Sequence, residues 1–196
     1  MEKSYLKNSF NKLIKGPLVL MPNIYKDVRG LFFESWNEKS FNKLIGNNNI
    51  RFVQDNHSYS TFGVLRGLHF QINPKAQDKL VRVIEGKIFD VIVDLRRDSE
   101  TYGTWSGIEL SETNKKSLWV PKGFAHGFLS LSAQTQVIYK TSEFWHKEYE
   151  RSLTWEDCEL KIKWPINKES MNNLKLSEKD NKGFTLKDLE DRGEVF

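Results

Sequence analysis

Two segments of the chain place a histidine among glycines and apolar residues, a setting that suits proton chemistry by an imidazole. The first spans residues 63–71 and contains His69, and the second spans residues 121–128 and contains His126. A lone lysine, Lys79, follows ten residues after the first histidine. Together these side chains suit proton transfer on a bound molecule that is anionic or carries a carbonyl group.

His69 has the properties of a general base. A neutral imidazole, with an unperturbed pKa of about 6.5, can take a proton near neutral pH, and a carboxylate on its other nitrogen would fix the tautomer. Lys79 or His126 beside a substrate carbonyl would stabilise the resulting enolate. Tyr139 could return the proton from the opposite face. These residue types fit an epimerase that acts next to a ketone, which at this point is one hypothesis among several.

The same histidines could instead bind a metal ion, as in double-sheet barrels of the cupin type. The usual ligand pattern of that superfamily is a His-x-His pair followed by a carboxylate. Here the pair reads His69-Phe70-Gln71, and Lys79 stands where a ligand would follow. Because a cationic lysine opposes a divalent ion, the sequence favours a site without a metal.

Two further alternatives remain open on the residues alone. One is a non-catalytic or metal-dependent cupin that binds a small anion through Arg66, Lys79 and His126. The other is a structural or protein-interaction sandwich in which His126 is a satisfied core residue. Burying both Arg66 and Lys79 without an anionic ligand would be costly, which favours a ligand site over the purely structural alternative.

The elements that must position these residues are mainly short strands. Between residues 17 and 144, apolar, β-branched and aromatic runs alternate with Gly, Asp, Asn and Ser, which predicts an antiparallel sandwich or barrel. One helix is expected, at residues 37–45. No alternation of strands and helices indicates a doubly wound fold. Strands are expected at residues 30–35, 52–58, 63–70, 80–84, 87–95, 104–110, 117–120, 127–132 and 136–144.

The strand that follows Lys79 carries a second cation, Arg82. Residues 80–84 and 87–95 flank Glu85 and Gly86, a tight-turn signal that predicts a hairpin. Since side chains alternate along a strand, Lys79 and Val81 share one face, and Arg82 lies on the other. If Lys79 points into a cavity, Arg82 is therefore expected to point away from it.

Composition limits the class of protein. The chain has 196 residues, 38% of them hydrophobic, which is enough for one core, so we expect a single domain. This domain is expected to have a β core at 17–165 and a polar C-terminal segment at 166–196. A short helix is expected in that segment, near 186–191. The net charge is +4, without a polybasic run, so no nucleic-acid partner is expected. The single cysteine, Cys158, and the absence of a long apolar run predict a cytoplasmic protein that is not bound to a membrane.

Several blocks, in order, resemble the dTDP-4-dehydrorhamnose 3,5-epimerase family. The resemblance extends from residue 27 to residue 180, and the blocks that carry it are residues 27–30, 52–58, 63–71, 79–82, 121–128, 139–141 and 176–180. It implies an all-β, cupin-like double-stranded β-helix (jelly roll), and a homodimer that exchanges its N-terminal strands. It also implies catalysis without a metal or cofactor, on a dTDP-4-keto-6-deoxy sugar.

The resemblance also implies a role for individual residues. His69 resembles the general base that removes the protons at C3 and C5, Asp180 its dyad partner, Lys79 the lysine that stabilises the enolate, and Tyr139 the general acid. Further residues resemble those that bind the sugar and its phosphates, namely Arg66 and His126. Others resemble those that bind the nucleotide, some of them donated by the neighbouring subunit: Arg29, Glu34, Gln54 and Asn56.

One position departs from the family pattern. Relatives commonly carry a second tyrosine near the sugar after Tyr139, whereas this chain has Trp145. The expected reaction is epimerisation of dTDP-4-dehydro-6-deoxy-D-glucose at C3 and C5, which gives dTDP-4-dehydro-L-rhamnose. Because Trp145 is larger and lacks the phenol, epimerisation at C3 only and ketoisomerisation remain as alternatives.

Overall fold

The computed structural model describes residues 1–47 and 49–196, which form two antiparallel β-sheets packed face to face, with short helices at the outside. The strands are β1 (Glu2–Lys7), β2 (Leu13–Met21), β3 (Ile24–Asp27), β4 (Gly30–Phe33), β5 (Gln54–Ser60), β6 (Leu65–Gln71), β7 (Lys79–Glu85), β8 (Lys87–Asp94), β9 (Trp105–Ser111), β10 (Ser117–Val120), β11 (Phe124–Ser130), β12 (Thr135–Thr141) and β13 (Glu150–Ser152). The helices are α1 (Glu38–Ile45), α2 (Lys168–Asn172), α3 (Glu178–Asn181) and α4 (Leu186–Asp191).

Strand order divides the sandwich into two sheets and one separate hairpin. The larger sheet runs β1-β2-β10-β7-β12-β5 and the smaller runs β13-β6-β11-β8-β9. Strands β3 and β4 pair with each other as a two-stranded hairpin. This is the all-β, cupin-like sandwich that the sequence predicts, and the prediction is confirmed.

The core lies between the sheets, and each outer face has its own apolar cover. Inward side chains of both sheets form the central cluster, for example Val81, Ile92 and Phe128. Helix α1 covers the outer face of the larger sheet through Phe41, and the C-terminal segment covers the outer face of the smaller sheet through residues such as Leu189. The polar C-terminal segment is thus packed on the sheet that carries both histidine segments.

The predicted hairpin of residues 80–84 and 87–95 is wrong. Strand β7 pairs with β10 and β12 in the larger sheet, whereas β8 pairs with β9 and β11 in the smaller one. Gly86, with φ +73, reverses the chain as the turn signal indicates, but the reversal carries the chain across the sandwich from one sheet to the other. A turn signal reports a local reversal, while strand pairing depends on residues far away in sequence.

The face assignment along β7 is confirmed. Val81 and Val83 belong to the central cluster, and Leu80 packs under α1 on the outer face. Lys79, which shares the face of Val81, is therefore directed between the sheets.

Local signals account for the helices at 37–45 and 186–191. Asn37 caps α1 by accepting a hydrogen bond from the Ser40 N–H, and Gly46 ends the helix in the left-handed conformation. Helix α4 spans the predicted residues and begins with a capping box from Thr185 and Asp188. None of the described helices is both long enough and apolar enough to cross a membrane.

The division into a β core at 17–165 and a C-terminal segment at 166–196 stays a prediction. Strands β1 and β2 begin before residue 17, so the larger sheet takes in the N-terminal residues as well.

Candidate active site

A cavity of about 320 Å³ lies between the two sheets, in the size range of pockets that bind small molecules. The smaller sheet and the C-terminal segment supply one wall, and the larger sheet supplies the other. Most of the residues predicted for catalysis or sugar binding line it: His69, Asp180, Lys79, Tyr139, Arg66, His126 and Trp145.

The two histidines are neighbours on adjacent strands of the smaller sheet. His69 on β6 and His126 on β11 are Cα partners, and the register shifts just beyond His126. At this irregularity Gly67 faces Gly127, and a Cβ atom on Gly67 would lie 2.6 Å from the Cα of Gly127. Only glycine permits this approach, and the Gly67 N–H is directed to the Asp180 carboxylate, at 3.2 Å.

His69 forms a buried pair with Asp180. The distance between His69 Nε2 and Asp180 Oδ1 is 2.6 Å, and Asp180 is only 4% exposed. The Ser177 hydroxyl donates to the other oxygen of Asp180 at 2.7 Å, and Ser177 also caps α3, the short helix that carries Asp180. Because Asp180 occupies Nε2, the other ring nitrogen of His69, Nδ1, is left as the atom that can take a proton.

The surroundings of this pair favour a neutral imidazole. Burial lowers the pKa of His69 below its ordinary value, although the hydrogen bond to Asp180 acts in the opposite direction. Burial alone would raise the pKa of Asp180, but the bonds from His69, Ser177 and the Gly67 N–H hold it below its ordinary value. At neutral pH the pair therefore consists of a neutral imidazole and a carboxylate, which is the form of a general base.

Lys79 enters the cavity from the larger sheet. Its ammonium donates to the backbone carbonyl of His69 at 3.1 Å, and the residue is 9% exposed. Burial lowers the pKa of Lys79 to about 8, while the charges of Glu150 and Asp90 act to raise it. Lys79 is thus largely protonated at neutral pH and can stabilise an oxyanion.

Tyr139 lies on β12, across the cavity from His69. Burial raises the pKa of the Tyr139 phenol, and the charge of Glu150 raises it further. The phenol therefore keeps its proton at neutral pH and can donate it. Because His69 belongs to the smaller sheet and Tyr139 to the larger one, a candidate base and a candidate acid stand on opposite walls of one cavity.

His126 and Arg66 complete the wall on the side of the smaller sheet. His126 Nε2 lies 2.9 Å from the carboxylate of Asp90, which is fully buried on β8. The Arg66 guanidinium donates to the Ser60 hydroxyl at 3.1 Å and to the Tyr59 carbonyl at 3.0 Å. Arg66 and His126 thus provide hydrogen-bond donors in the cavity wall, and such donors suit an anionic or polyhydroxy ligand.

Gln54 and Asn56 lie on β5, beside the cavity. Asn56 is the Cα partner of Tyr139, and its side chain accepts a hydrogen bond from Gln54 at 2.9 Å. The side-chain amide oxygen of Gln54 accepts a hydrogen bond from the backbone N–H of Trp145 at 3.1 Å. Both residues therefore stand next to cavity residues, although the cavity wall itself is formed by others.

Arg29 and Glu34 are not brought to this cavity. Arg29 lies on the β3–β4 hairpin and pairs with Asp27. Glu34 follows the hairpin, accepts a hydrogen bond from Asn37 at 2.9 Å and lines a separate cavity beside Trp36. Within one chain, these two predicted nucleotide-binding residues are separated from His69.

Six residues that line the cavity are missing from the sequence-based set: Ser58, Gly127, Phe128, Glu150, Ser177 and Lys179. Ser177 precedes Asp180 by three residues, the spacing of a helix cap, and this signal could have identified it. Glu150 and Lys179 form an ion pair of 2.8 Å between β13 and α3, and neither residue has a local signal of its own. Among the described residues, no group of three or more His, Cys, Asp or Glu side chains is arranged to hold a metal ion.

Comparisons with known proteins identify relatives over nearly the whole chain. Residues 11–188 match the family model of dTDP-4-dehydrorhamnose 3,5-epimerase. The chain is 47% identical over 177 residues to the Shigella flexneri protein of that name, a match that covers 90% of this chain and 94% of the relative. It is 49% identical to the Pseudomonas aeruginosa protein of that name, again over 90% of this chain and 94% of the relative.

A solved structure shows the same fold with a ligand. The 3,5-epimerase of Legionella pneumophila Philadelphia 1, in complex with dTDP-4-keto-L-rhamnose, superposes with a TM-score of 0.87 at 41% identity. The match covers 99% of this chain and 97% of the Legionella chain.

Proposed function

The chain belongs to the dTDP-4-dehydrorhamnose 3,5-epimerase family, and from this premise we propose how its cavity carries out the reaction. It is an isomerase that epimerises C3 and C5 of dTDP-4-dehydro-6-deoxy-D-glucose to give dTDP-4-dehydro-L-rhamnose. Both carbons lie next to the C4 ketone, so removal of either proton gives an enolate. The reaction needs a base, a group that holds the oxyanion, and an acid on the opposite face of the sugar.

His69 acts as the base. Its Nδ1 takes the proton from the carbon next to the ketone, and Asp180 stabilises the imidazolium that forms. The observation that carries this assignment is the buried pair between His69 and Asp180 in the cavity wall, at 2.6 Å. Because burial lowers the pKa of His69, the base is unprotonated before substrate binds.

Lys79 and Tyr139 complete each cycle. The Lys79 ammonium holds the developing charge on O4, and the Tyr139 phenol delivers a proton to the carbon from the larger sheet. The carbon loses its proton to one wall and regains one from the other, which inverts its configuration. Proton exchange with solvent then restores His69 and Tyr139, and the cycle is repeated at the second carbon.

Substrate binding uses the remaining predicted residues. Arg66 and His126 contact the sugar and its phosphates, since an arginine fork makes paired, charge-assisted bonds to phosphate. Arg29, Glu34, Gln54 and Asn56 hold the nucleotide. Neither a metal nor a cofactor takes part, and we place the enzyme in the cytoplasm, without a nucleic-acid or membrane partner.

The active unit is a homodimer with exchanged N-terminal strands. The β3–β4 hairpin exposes apolar side chains, among them Val28 and Phe32, and within the described residues its strands pair only with each other. Arg29 is carried on this hairpin, away from the His69 cavity of its own chain. A hairpin that reaches a second copy would bury these side chains and bring Arg29 to the partner's nucleotide.

Trp145 bears on the number of carbons that are inverted. It lines the cavity, at the position where the family resemblance implies a second tyrosine. Inversion at C5 as well as C3 requires the sugar to present both carbons to the same base, so the indole must leave room for both poses. If the indole blocks one pose, the enzyme is restricted to C3.

Incubation of the purified protein with dTDP-4-keto-6-deoxyglucose in deuterated water tests these assignments. Proton NMR is expected to show deuterium at both C3 and C5, without added metal. His69→Ala is expected to lower the exchange rate by at least about 100-fold, as expected for loss of a general base. His57→Ala is the matched control, because His57 is exposed and bonded to Gln136 rather than to a cavity residue.

Each other outcome has a distinct meaning. Deuterium at C3 alone would show a C3-only epimerase. Full exchange by His69→Ala would contradict the assignment of the base. Absence of exchange at both carbons in the unmodified protein would contradict the proposed mechanism on this substrate.

A further inference from the structure

Gln71 is a buried polar residue that the mechanism above does not use. It ends β6, two residues after His69, and is 3% exposed. Its amide nitrogen donates to the Lys75 carbonyl at 2.6 Å and to the Phe144 carbonyl at 3.1 Å. Its amide oxygen accepts from the His146 N–H at 2.7 Å. Both donors and the acceptor of the side chain are thus engaged by backbone groups.

Two of these bonds enclose Trp145. Phe144 and His146 are its neighbours in the chain, so one side chain holds the peptide groups before and after the tryptophan. The side-chain oxygen of Gln54 accepts a hydrogen bond from the backbone N–H of Trp145. The backbone at Trp145 is therefore fixed at three successive points by two glutamine side chains.

The indole itself has little packing to hold it in place. Trp145 is 54% exposed while it lines the cavity. A side chain with so much exposed surface gains little from packing contacts, so its position depends on the backbone from which it projects and on a side-chain hydrogen bond to Glu150.

Strand β6, which carries Gln71, also carries the candidate base, His69. On β6, His69 is paired with Ser152 of β13 and with His126 of β11, and Gln71 is paired with Glu150 of β13. Since β6 is held on both sides, Gln71 ties the Trp145 segment to the same rigid strand as His69.

We infer that Gln71 is a positioning residue, whose amide fixes Trp145 over the cavity and so determines how tightly the substrate is held. It leaves proton transfer to His69, Lys79 and Tyr139. This inference rests on the proposed function of the cavity, in which Trp145 contacts the bound substrate.

Steady-state kinetics of Gln71→Met provide the first test. Methionine has a similar size but makes none of the three bonds. We expect KM for the dTDP-4-keto sugar to rise about tenfold, the effect of losing one well-placed interaction, with kcat within about twofold of the unmodified enzyme. Gln77→Met is the matched control. The Gln77 side chain donates to the Glu143 carbonyl at 2.8 Å in the same segment, but Glu143 is not a direct neighbour of Trp145 in the chain.

A double-mutant cycle with Trp145→Ala tests whether Gln71 acts through the indole. Once the indole is absent, Gln71→Met is expected to cause no further rise in KM. Independent, additive effects of the two substitutions would overturn the inference. An equal rise in KM in Gln77→Met would overturn it as well, because the effect would then reflect general loosening of the segment.

Fluorine NMR of protein labelled with 5-fluorotryptophan provides a readout that does not require turnover. The Trp145 signal is identified by its loss in Trp145→Phe. It is expected to shift and broaden in Gln71→Met, and to stay in place in Gln77→Met. If Gln71→Met does not fold, Gln71→Asn replaces it, since this variant stays neutral and polar but is one methylene shorter and cannot make all three bonds.

The two readouts separate failure of the inference from failure of the function. An unmoved Trp145 signal in the folded Gln71 variant would overturn the inference whether or not the enzyme is active. If the signal is displaced but the unmodified protein shows no epimerase activity, the proposed function is contradicted. The positioning of Trp145 by Gln71 would then still be established.

Discussion

Two buried groups in the cavity change their charge on opposite sides of neutral pH. The pKa of His69 lies below its ordinary value because of burial, so this base stays neutral until the solution becomes acidic. The pKa of Lys79 is about 8, again because of burial, so its ammonium is lost as the solution becomes alkaline. The proposed mechanism needs His69 neutral and Lys79 charged, a combination found only above the pKa of His69 and below that of Lys79.

The dependence of kcat/KM on pH is therefore expected to be bell-shaped. Activity should fall on the acid side as His69 gains a proton, at a pH below about 6.5, and on the alkaline side as Lys79 loses one, near pH 8. Glu150→Gln removes the charge that most strongly raises the pKa of Lys79, so the alkaline limb should move to lower pH. The measurement is kcat/KM from about pH 5 to about pH 9.5, a range that includes the ordinary pKa of histidine, about 6.5, and the lowered pKa of Lys79, about 8.

Glu148→Gln is the control for this shift, since Glu148 is a more exposed carboxylate two residues away. Its alkaline limb should coincide with that of the unmodified enzyme. An alkaline limb that stays unmoved in Glu150→Gln would show that Lys79 does not set it.

The individual cavity residues differ in how far the sequence predicts them. His69, Lys79 and Tyr139 lie within blocks that carry a family resemblance, and the structure brings all three to one cavity. The ion pair of Glu150 with Lys179 joins two elements far apart in sequence, and such a contact has no local pattern. Arg29 lies on the β3–β4 hairpin, away from the cavity of its own chain, and no local pattern in the sequence indicates this separation.

At the scale of the elements, a short strap determines the position of Asp180. The strap, residues 175–184, is bonded to the smaller sheet at both ends. Lys175 exchanges backbone hydrogen bonds with Gly63 and Leu65, and Phe184 does so with Ser152 and Thr154. Helix α3 lies between these attachments, so a four-residue helix that would not be stable alone is held against β6.

Gly183 allows the strap to approach the sheet closely. A Cβ atom at this position would lie 2.7 Å from the Thr154 nitrogen and 3.0 Å from the Leu153 carbonyl carbon, which are backbone atoms. Gly183→Ala should therefore push the strap outward and lengthen the 2.6 Å contact between Asp180 and His69. We expect kcat to fall by about 100-fold, since a displacement of about 1 Å can have this effect on a catalytic group.

Single-turnover and steady-state rates measure this effect, and Lys182→Ala is the matched control. Lys182 is the preceding residue, and its exposed side chain pairs with Glu178. The control should retain the kcat of the unmodified enzyme. An equally high kcat in Gly183→Ala would show that the position of the strap does not limit catalysis.

The elements differ in predictability for physical reasons. Helices α1 and α4 combine a cap at the N-terminus with buried apolar side chains, and both are predicted. Helix α3 has four residues, too few to show a helical period, and it is missed. The wrongly predicted hairpin of β7 and β8 shows the same limit, because alternation identifies strands but not the sheet that each one joins.

At the scale of the whole molecule, three apolar layers account for most of the large buried side chains. The central cluster lies between the sheets, α1 covers one outer face, and the C-terminal segment covers the other. The β3–β4 hairpin stands outside this arrangement. Its Val28 is fully exposed and its Phe32 is 70% exposed, and neighbouring apolar side chains exposed together are typical of an interaction surface, whereas single exposed ones are not.

Covering this hairpin with a second copy predicts a dimer of twice 23.0 kDa, measurable by light scattering during gel filtration. The variant Val28→Asp, Phe32→Asp should behave as a monomer, because burying two carboxylates in the interface is unfavourable. KM for the nucleotide sugar should also rise, since Arg29 would no longer reach the partner's cavity.

Phe10→Asp is the control, because Phe10 is 80% exposed in a different loop. A hairpin variant that keeps the dimer mass would contradict this placement of the interface. A monomeric variant with unchanged KM would instead separate dimerisation from nucleotide binding by Arg29.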